Sequence, residues 1–258
     1  MSARMAPLAN RPFLLPGSSS RAALLVHGLG GGPHEVQRLG EALAARGITA
    51  RGLQLPGHEP GERMPASTWS EWYAATKGAF DELRPRFERV DLVGFSTGCM
   101  VALHLAAQAG LTGRLVLLAP FVRVFQPALL RALPFAKAES LLRALPFVKT
   151  VPRRRPPLAD RQARREVEAC ASFRTFSLEA TRSALSLIEV VLAELGAVRA
   201  PALILQGRRD TVVDPSGAAL LHARLPGSTL TWLERSDHLL TLDLEAAQVI
   251  ETASSFLV

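Results

Sequence analysis

The sequence predicts an α/β fold in which a mostly parallel sheet is covered by helices on both faces. Apolar runs typical of buried strands recur along the 258 residues, at 22–27, 48–55, 90–95, 115–119, 202–206 and 229–233. Stretches with helical periodicity alternate with them, at 35–46, 70–89, 97–109, 216–224 and 243–256. Strands alternating with helices favour parallel pairing, which collects the carboxyl ends of the strands along one edge. We therefore expect a functional site in the loops at that edge.

The alternation breaks between residues 121 and 197, which predicts an insertion. The stretch "LLRALPFAK" starting at Leu129 is nearly repeated as "LLRALPFVK" starting at Leu141. The proline in each copy should end a short helix. A longer helical pattern follows at 177–195. The sequence thus predicts a core of residues 1–120 and 198–258, with residues 121–197 as an inserted helical cap (a lid) that adds no strand to the sheet.

Composition and charge restrict the class of protein. Hydrophobic residues make up 48% and charged residues 21% of the chain, as in globular proteins. No run approaches the roughly 18 apolar residues that span a bilayer, and the N-terminal residues lack the apolar stretch of a signal peptide. The sequence therefore predicts a cytoplasmic protein.

The formal charge of +7 is concentrated in the insertion. Residues 121–200 contain 14 Lys and Arg against 7 Asp and Glu, while the rest of the chain has 16 of each sign. We interpret the basic face first as an ordinary solvated surface and second as a contact with anionic membrane. Nucleic-acid binding ranks last, because no helix-turn-helix or RNA-binding signature is present and few aromatics lie between the arginines.

Cysteines and histidines suggest no metal site. Cys99 and Cys170 are the two cysteines, and together with six histidines they show no paired metal-ligand spacing. We expect neither a metal nor a disulfide, with Cys99 packed inside a helix.

The segment Gly94-Phe95-Ser96-Thr97-Gly98 matches the pattern G-x-S-x-G between a predicted strand and a predicted helix. In this context the pattern predicts a nucleophile elbow, a sharp turn that exposes the serine hydroxyl at the carboxyl edge of the sheet. The glycines are needed because the turn strains the serine backbone and brings neighbouring backbones too close for a Cβ. The alternative is a serine that only caps the helix N-terminus, beside glycines without a function. It does not explain why strand, glycines, serine and helix follow one another in this order.

A nucleophilic serine needs a base and an orienting carboxylate. His238 lies in the loop "RSDHLLTLD" after the last predicted strand, and Asp210 lies just past a strand end in "ILQGRRDTVVDP". The order serine, aspartate, histidine is the one expected for a hydrolase with a nucleophile elbow. Asp214 and Asp237 remain competing carboxylates, with Asp210 favoured by its position.

The other histidines are interpreted as structural. His104 and His222 fall within predicted helices, and His27 and His58 precede or follow loops at the active edge of the sheet.

A glycine-rich turn, "HGLGGGP", follows the strand at 22–27. Small residues allow backbone N–H groups to point into a cavity, so we predict that the N–H groups of Leu29 and Thr97 form an oxyanion hole. A phosphate-binding loop is the alternative, but the glycine spacing of such loops is incomplete.

Four motifs in order, "LLVHGLGGGP", "LVGFSTG", "ILQGRRDTVVDP" and "SDHLLTLD", resemble the bacterial carboxylesterase and monoacylglycerol lipase family of α/β-hydrolases. The resemblance covers about residues 22–120 and 201–258. It implies the α/β-hydrolase fold, a triad of Ser96, Asp210 and His238, and an oxyanion hole from Leu29 and Thr97. It also implies short- to medium-chain acyl esters or monoacylglycerols as substrates, and no cofactor.

We therefore predict a serine esterase that forms an acyl-enzyme on Ser96. A thioesterase or a C–C bond hydrolase would use the same residues, and a non-catalytic small-ligand-binding protein could share the fold. Acyl chain length, leaving group and oligomeric state are left open by the sequence.

Overall fold

The computed structural model describes residues 7–111, 113–124, 149–152, 155–170 and 173–258. The near-repeated segments that start at Leu129 and Leu141, in which short helices were predicted, lie outside the described residues.

In the described residues, a seven-stranded sheet has the order β1-β3-β2-β4-β5-β8-β9. All neighbouring strands pair in parallel except the edge strand β1, which is antiparallel to β3. The strands, together with the two of a smaller sheet, are β1 (Phe13–Leu15), β2 (Arg21–Val26), β3 (Thr49–Gly52), β4 (Arg89–Phe95), β5 (Leu115–Leu118), β6 (Thr150–Pro152), β7 (Thr175–Ser177), β8 (Ala202–Gly207) and β9 (Ser228–Leu233).

Helices cover both faces of this sheet. In chain order they are α1 (His34–Ala45), α2 (Trp69–Leu83), α3 (Thr97–Ala109), α4 (Arg161–Cys170), α5 (Leu178–Glu194), α6 (Ser216–Arg224) and α7 (Ala246–Leu257). Among the described residues, no helix combines the length and apolar character needed to cross a membrane.

The core divides into two layers by the alternation of side chains along the strands. In β2, Leu24 and Val26 pack in the layer that contains α2, α3 and α5, whereas Leu25 packs in the layer that contains α1 and α7. Strands buried on both faces need near-continuous apolar sequence. The predicted parallel sheet with helices on both faces is thus confirmed.

Several local predictions differ from the structure, among them the strand predicted at 48–55, which is observed only as Thr49–Gly52. The edge strand β1 was not predicted, because its three residues are too short to show a period. The second helix was predicted to extend to 89 but ends at Leu83, because Pro85 cannot continue a helix. The last helix begins at Ala246 instead of 243, because the Asp243 side chain is used to bind neighbouring loops.

The insertion is not purely helical, which corrects the prediction of short helices alone. Strands β6 and β7 pair as a separate antiparallel two-stranded sheet, where Val151 lies opposite Phe176. β-Branched and aromatic residues favour strands, and these runs were too short to predict. Helix α5 packs against α3 in the core, with Ile188 and Val191 nearly inaccessible to solvent. The division into core and cap stays a prediction.

Candidate active site

Ser96 occupies the sharp turn between β4 and α3. Its backbone angles are φ 54° and ψ −118°, a left-handed conformation that costs a non-glycine residue energy. The turn is held on both sides, because the Ser96 N–H donates to the Leu118 carbonyl at 2.8 Å and the Ser96 carbonyl accepts from Cys99. The predicted strain is therefore present, and the fold stabilises it.

The two flanking glycines are required by close backbone contacts, as predicted. A Cβ on Gly94 would lie 2.5 Å from the Cys99 backbone, and one on Gly98 would lie 2.3 Å from the Val26 carbonyl oxygen. Both contacts involve backbone atoms that cannot move aside without shifting the sheet or helix. The elbow thus depends on the absence of side chains at these two positions.

A chain of hydrogen bonds joins the serine to two residues from distant loops. His238 Nε2 lies 3.0 Å from Ser96 Oγ, and His238 Nδ1 lies 2.8 Å from Asp210 Oδ2. All three residues are at most 5% exposed. Because a carboxylate only accepts, Nδ1 carries the imidazole proton and Nε2 is left to accept from the serine hydroxyl.

Asp210 is the carboxylate that the structure places against the histidine. Burial opposes its ionisation, but the charge of His238 and hydrogen bonds from His238, Val213 and Val212 outweigh it and lower the pKa of Asp210. Gln206 donates to the same oxygen as His238, at 3.0 Å. An ionised Asp210 is therefore maintained beside the imidazole.

The two competing carboxylates have other contacts. Asp214 accepts the Ser216 N–H at 2.9 Å, at the start of α6. Asp237 accepts the N–H and hydroxyl of Thr211 and the N–H of His238. Asp237 thus ties together the loops that carry Asp210 and His238 without contacting the imidazole.

The glycine-rich turn after β2 passes directly beside Ser96. A Cβ on Gly28 would lie 3.1 Å from the Ser96 Cβ. Gly30 has φ +66°, and the Phe176 ring of β7 lies against it where a side chain would be. The N–H groups of Leu29 and Thr97 form no hydrogen bond with other described residues. These two donors are thus unused near the serine, as an oxyanion hole requires.

Two buried histidines support this turn as neutral groups. His27 Nε2 accepts the Leu55 N–H at 3.1 Å, which leaves Nδ1 to donate to the Gly28 carbonyl at 2.9 Å. His58 packs edge-on against His27, with ring centroids 5.0 Å apart. Burial lowers the pKa of His27, and burial lowers the pKa of His58 to about 4. Their contacts match the structural role that we predicted.

The two helical histidines lie away from Ser96. His104 Nδ1 lies 2.6 Å from Glu194 Oε2, between α3 and α5, and His222 contacts Ser228. Neither contacts the hydrogen-bonded chain of Ser96, His238 and Asp210.

Three anchoring carboxylates escaped the sequence analysis. Asp243 accepts the Asp237 N–H at 2.6 Å, and its oxygens also accept the N–H groups of Ala159 and Asp160 from the insertion. Glu245 accepts three consecutive N–H groups, at 234–236, and the Ser236 hydroxyl. Glu35 accepts the Gly28 N–H at 2.9 Å.

Part of this network of anchoring carboxylates could have been anticipated from the sequence. The run "SDHLLTLDLE" places three acidic residues around His238 in a loop, where carboxylates often accept backbone N–H groups. The link from Asp243 to Ala159 joins residues 84 positions apart, and no local pattern indicates it.

The sheet with its strand–serine–helix turn defines the protein as an α/β-hydrolase. A model of the family described as serine aminopeptidase, S33, matches residues 17–245. The chain belongs to this family.

Known proteins of similar length support this assignment. The chain is 23% identical over 256 residues to a carboxylesterase of Bacillus subtilis (strain 168), covering 96% of each protein. It is 26% identical over 242 residues to a thermostable monoacylglycerol lipase of Bacillus sp. (strain H-257), covering 90% of this chain and 88% of that one. A Paleococcus ferrophilus monoacylglycerol lipase structure shares the fold, with a TM-score of 0.80, 18% identity and coverage of 96% and 97%.

A second solved structure shares the fold over the whole length. It is described as that of LipS and LipT, two metagenome-derived lipolytic enzymes, and gives a TM-score of 0.82 at 24% identity, covering 98% of this chain and 99% of that one. The resemblance to carboxylesterases and monoacylglycerol lipases noted from the sequence is confirmed.

Proposed function

We propose that this protein hydrolyses carboxylic esters through an acyl-enzyme on Ser96. One observation carries the proposal: Ser96, at a strained elbow, is hydrogen-bonded to His238, which is hydrogen-bonded to the buried Asp210. The enzyme class predicted from the sequence, a carboxylic ester hydrolase, is confirmed by the named relatives. The residue roles and the substrate are what we propose.

In the first half-reaction, Ser96 Oγ attacks the acyl carbonyl carbon while His238 Nε2 takes the hydroxyl proton. The tetrahedral intermediate then expels the alcohol, which receives that proton from Nε2. Water repeats the sequence on the acyl-enzyme and releases the carboxylic acid. Asp210 holds the imidazole in its Nδ1–H tautomer and stabilises its charged form.

The N–H groups of Leu29 and Thr97 would stabilise the negative oxygen of both intermediates. Thr97 is the first residue of α3, so the positive end of the helix dipole adds to its donor. Losing one donor of this kind costs about 10²–10³ in rate. Glu35 contributes indirectly, because it binds the Gly28 N–H and so fixes the turn that presents Leu29.

We propose short- to medium-chain acyl esters or monoacylglycerols as the substrates. The support is the naming of the curated relatives as a carboxylesterase and a monoacylglycerol lipase. Both substrate types present the same acyl carbonyl to Ser96 and differ in the alcohol that leaves.

The test is hydrolysis of p-nitrophenyl esters from acetate to palmitate, with monoacylglycerols of the same chain lengths. Ser96→Ala should abolish turnover and labelling by a fluorophosphonate. Ser186→Ala, a change at an exposed serine of α5, is the matched control and should retain both.

Two results would contradict the proposal. Turnover that survives in Ser96→Ala would exclude this nucleophile. Activity confined to aminoacyl p-nitroanilides or to thioesters would move the protein to amide or thioester hydrolysis. A maximum at short or medium chains is expected, and a maximum only at long chains would overturn the chain-length assignment.

A further inference from the structure

Helix α4 presents a cluster of arginines on one face. Arg161, Arg164 and Arg165 follow the spacing i, i+3, i+4, which places them on the same side of a helix. Arg155 precedes the helix and lines the same surface depression. On the opposite side, Val167 is fully buried in the core. These four arginines are called the arginine face below.

The charge of the arginine face is only partly offset by neighbouring described residues. None of its four guanidinium groups forms an ion pair with a carboxylate in the described ranges. Glu168 lines the depression and offsets part of the charge. Across residues 149–168 the sequence has seven basic residues against three acidic ones, Asp160, Glu166 and Glu168. An anion is therefore attracted to this surface.

The position of the arginines opposes helix stability. Arg161 is the first residue of α4 and Arg164 ends its first turn, where the positive end of the helix dipole disfavours cations. Asp160 offsets this by accepting the N–H groups of Gln162 and Ala163.

The arginine face is fixed in place beside the candidate active site. Asp243 accepts the N–H groups of Ala159 and Asp160 immediately before α4, and the N–H of Asp237, which precedes His238. The fully buried Leu158 secures the same segment. A partner that binds the arginine face would thus lie next to the loop that carries His238.

We propose that the arginine face is a docking surface for membranes that contain anionic lipids. Arg155, Arg161 and Arg165 are exposed, so they match an extended negative surface better than a single small anion. Each arginine near such a surface strengthens partitioning about fivefold. This inference goes beyond the ester hydrolysis proposed above, because docking does not depend on Ser96.

The test measures co-sedimentation with vesicles of phosphatidylcholine alone and vesicles that also contain phosphatidylglycerol. A Ser96→Ala background prevents turnover, so that loss of binding reports on the surface and not on the reaction. The arginine-face variant combines Arg155→Gln, Arg161→Gln and Arg165→Gln. It spares Arg164, whose side chain donates to the Leu158 carbonyl.

The matched control removes the same charge elsewhere. Arg84→Gln, Arg86→Gln and Arg224→Gln change three exposed arginines outside α4. We expect the arginine-face variant to lose about 100-fold in partitioning to anionic vesicles, and the control to lose far less. Binding should fall steeply with salt, as the Debye length shrinks from about 30 Å to 3 Å between 0.01 M and 1 M.

Several outcomes would overturn the proposal. They are equal losses in the two variants, equal binding to neutral and anionic vesicles, and retention on DNA without binding to vesicles. Displacement from vesicles by millimolar inorganic phosphate at constant ionic strength would indicate a small-anion site instead. In a Ser96 background, the arginine-face variant should still hydrolyse a water-soluble ester at the normal rate.

Discussion

On the serine side of the candidate active site, glycines and neutral imidazoles allow neighbouring backbone segments to pack closely against one another. On the histidine side, carboxylates accept the N–H groups of neighbouring loops. The serine side comprises the elbow at Gly94–Gly98 and the turn after β2, supported by His27 and His58. The histidine side comprises Asp210, Asp237, Asp243 and Glu245 around His238. The first is constrained mainly by steric fit, although Glu35 also accepts the Gly28 N–H, and the second by hydrogen bonds to carboxylates, so they should fail in different ways.

The largest effect is expected from removing charge on the histidine side. Asp210→Asn keeps the side-chain shape, but its amide nitrogen can donate to the imidazole and favour the wrong tautomer. The value of kcat should fall by about 10⁴-fold. Steady-state kinetics on a soluble ester measure this, and unchanged thermal unfolding would show that the fold is intact. A loss smaller than tenfold would mean that Asp210 does not orient His238.

On the serine side, Gly98→Ala should act through sterics. The added Cβ would lie 2.3 Å from the Val26 carbonyl oxygen, so we expect a loss of unfolding free energy of about 3 kcal/mol. Gly78→Ala in α2 is the matched control, because its Cβ would meet nothing within 4 Å. Chemical denaturation should show Gly78→Ala to be neutral or stabilising. Equal stability of the two variants would contradict the steric argument.

The two sides should also respond to different ranges of pH. The pKa of His58 is lowered from 6.5 to about 4, so the unfolded chain binds its proton more tightly. Stability is therefore complete above pH 6.5 and is lost as the pH falls towards 4, by about 3 kcal/mol for this group. The pKa values of Asp210 and Glu245 are lowered from 3.8 and 4.5, so their contribution is lost only below those values.

Urea unfolding of the wild type and of His58→Gln across this range separates the two effects. The variant should lose roughly half of the pH dependence between 6.5 and 4, because the buried His27, whose pKa is also lowered, contributes the rest, and it should keep the loss at lower pH. An unchanged slope between 6.5 and 4 would show that His58 is not the group responsible.

A smaller effect is expected from Asp243→Asn. Each carboxylate oxygen of Asp243 accepts two N–H groups, so either orientation of the amide turns its NH₂ group towards donors. We expect a loss of about 2 kcal/mol in stability, with kcat reduced tenfold or more because His238 is less well placed. KM should change little. Asp214→Asn, which alters a single bond at the start of α6, is the control. Equal effects of the two variants on kcat would exclude a positioning role for Asp243.

Most of the architecture was predictable from the sequence because the signals are local. Apolar strands alternating with amphipathic helices indicated the sheet, and helix α3 was predicted with its observed bounds. The predictions that failed concern short segments: β1, β6 and β7 have three residues each. A strand of three residues is too short to show a hydrophobic period, and its pairing partner can lie far away in the chain.

For the candidate site, the sequence favoured Asp210 by its position but left Asp214 and Asp237 as competing carboxylates. Asp210, Asp214 and Asp237 all lie near the expected edge, and only the folded geometry places Asp210 at 2.8 Å from His238. The sequence can suggest that carboxylates such as Asp243 and Glu35 accept backbone N–H groups, but it does not indicate which N–H groups they reach.

The sequence by itself determined the parallel sheet and the elbow around Ser96, because hydrophobic period and the need for glycine are properties of neighbouring residues. Tertiary structure decided which carboxylate meets His238, how Asp243 joins the insertion to the histidine loop, and where the arginine face lies. These depend on contacts between residues distant in the chain, which exist only once the strands have paired and the loops have met at one edge of the sheet.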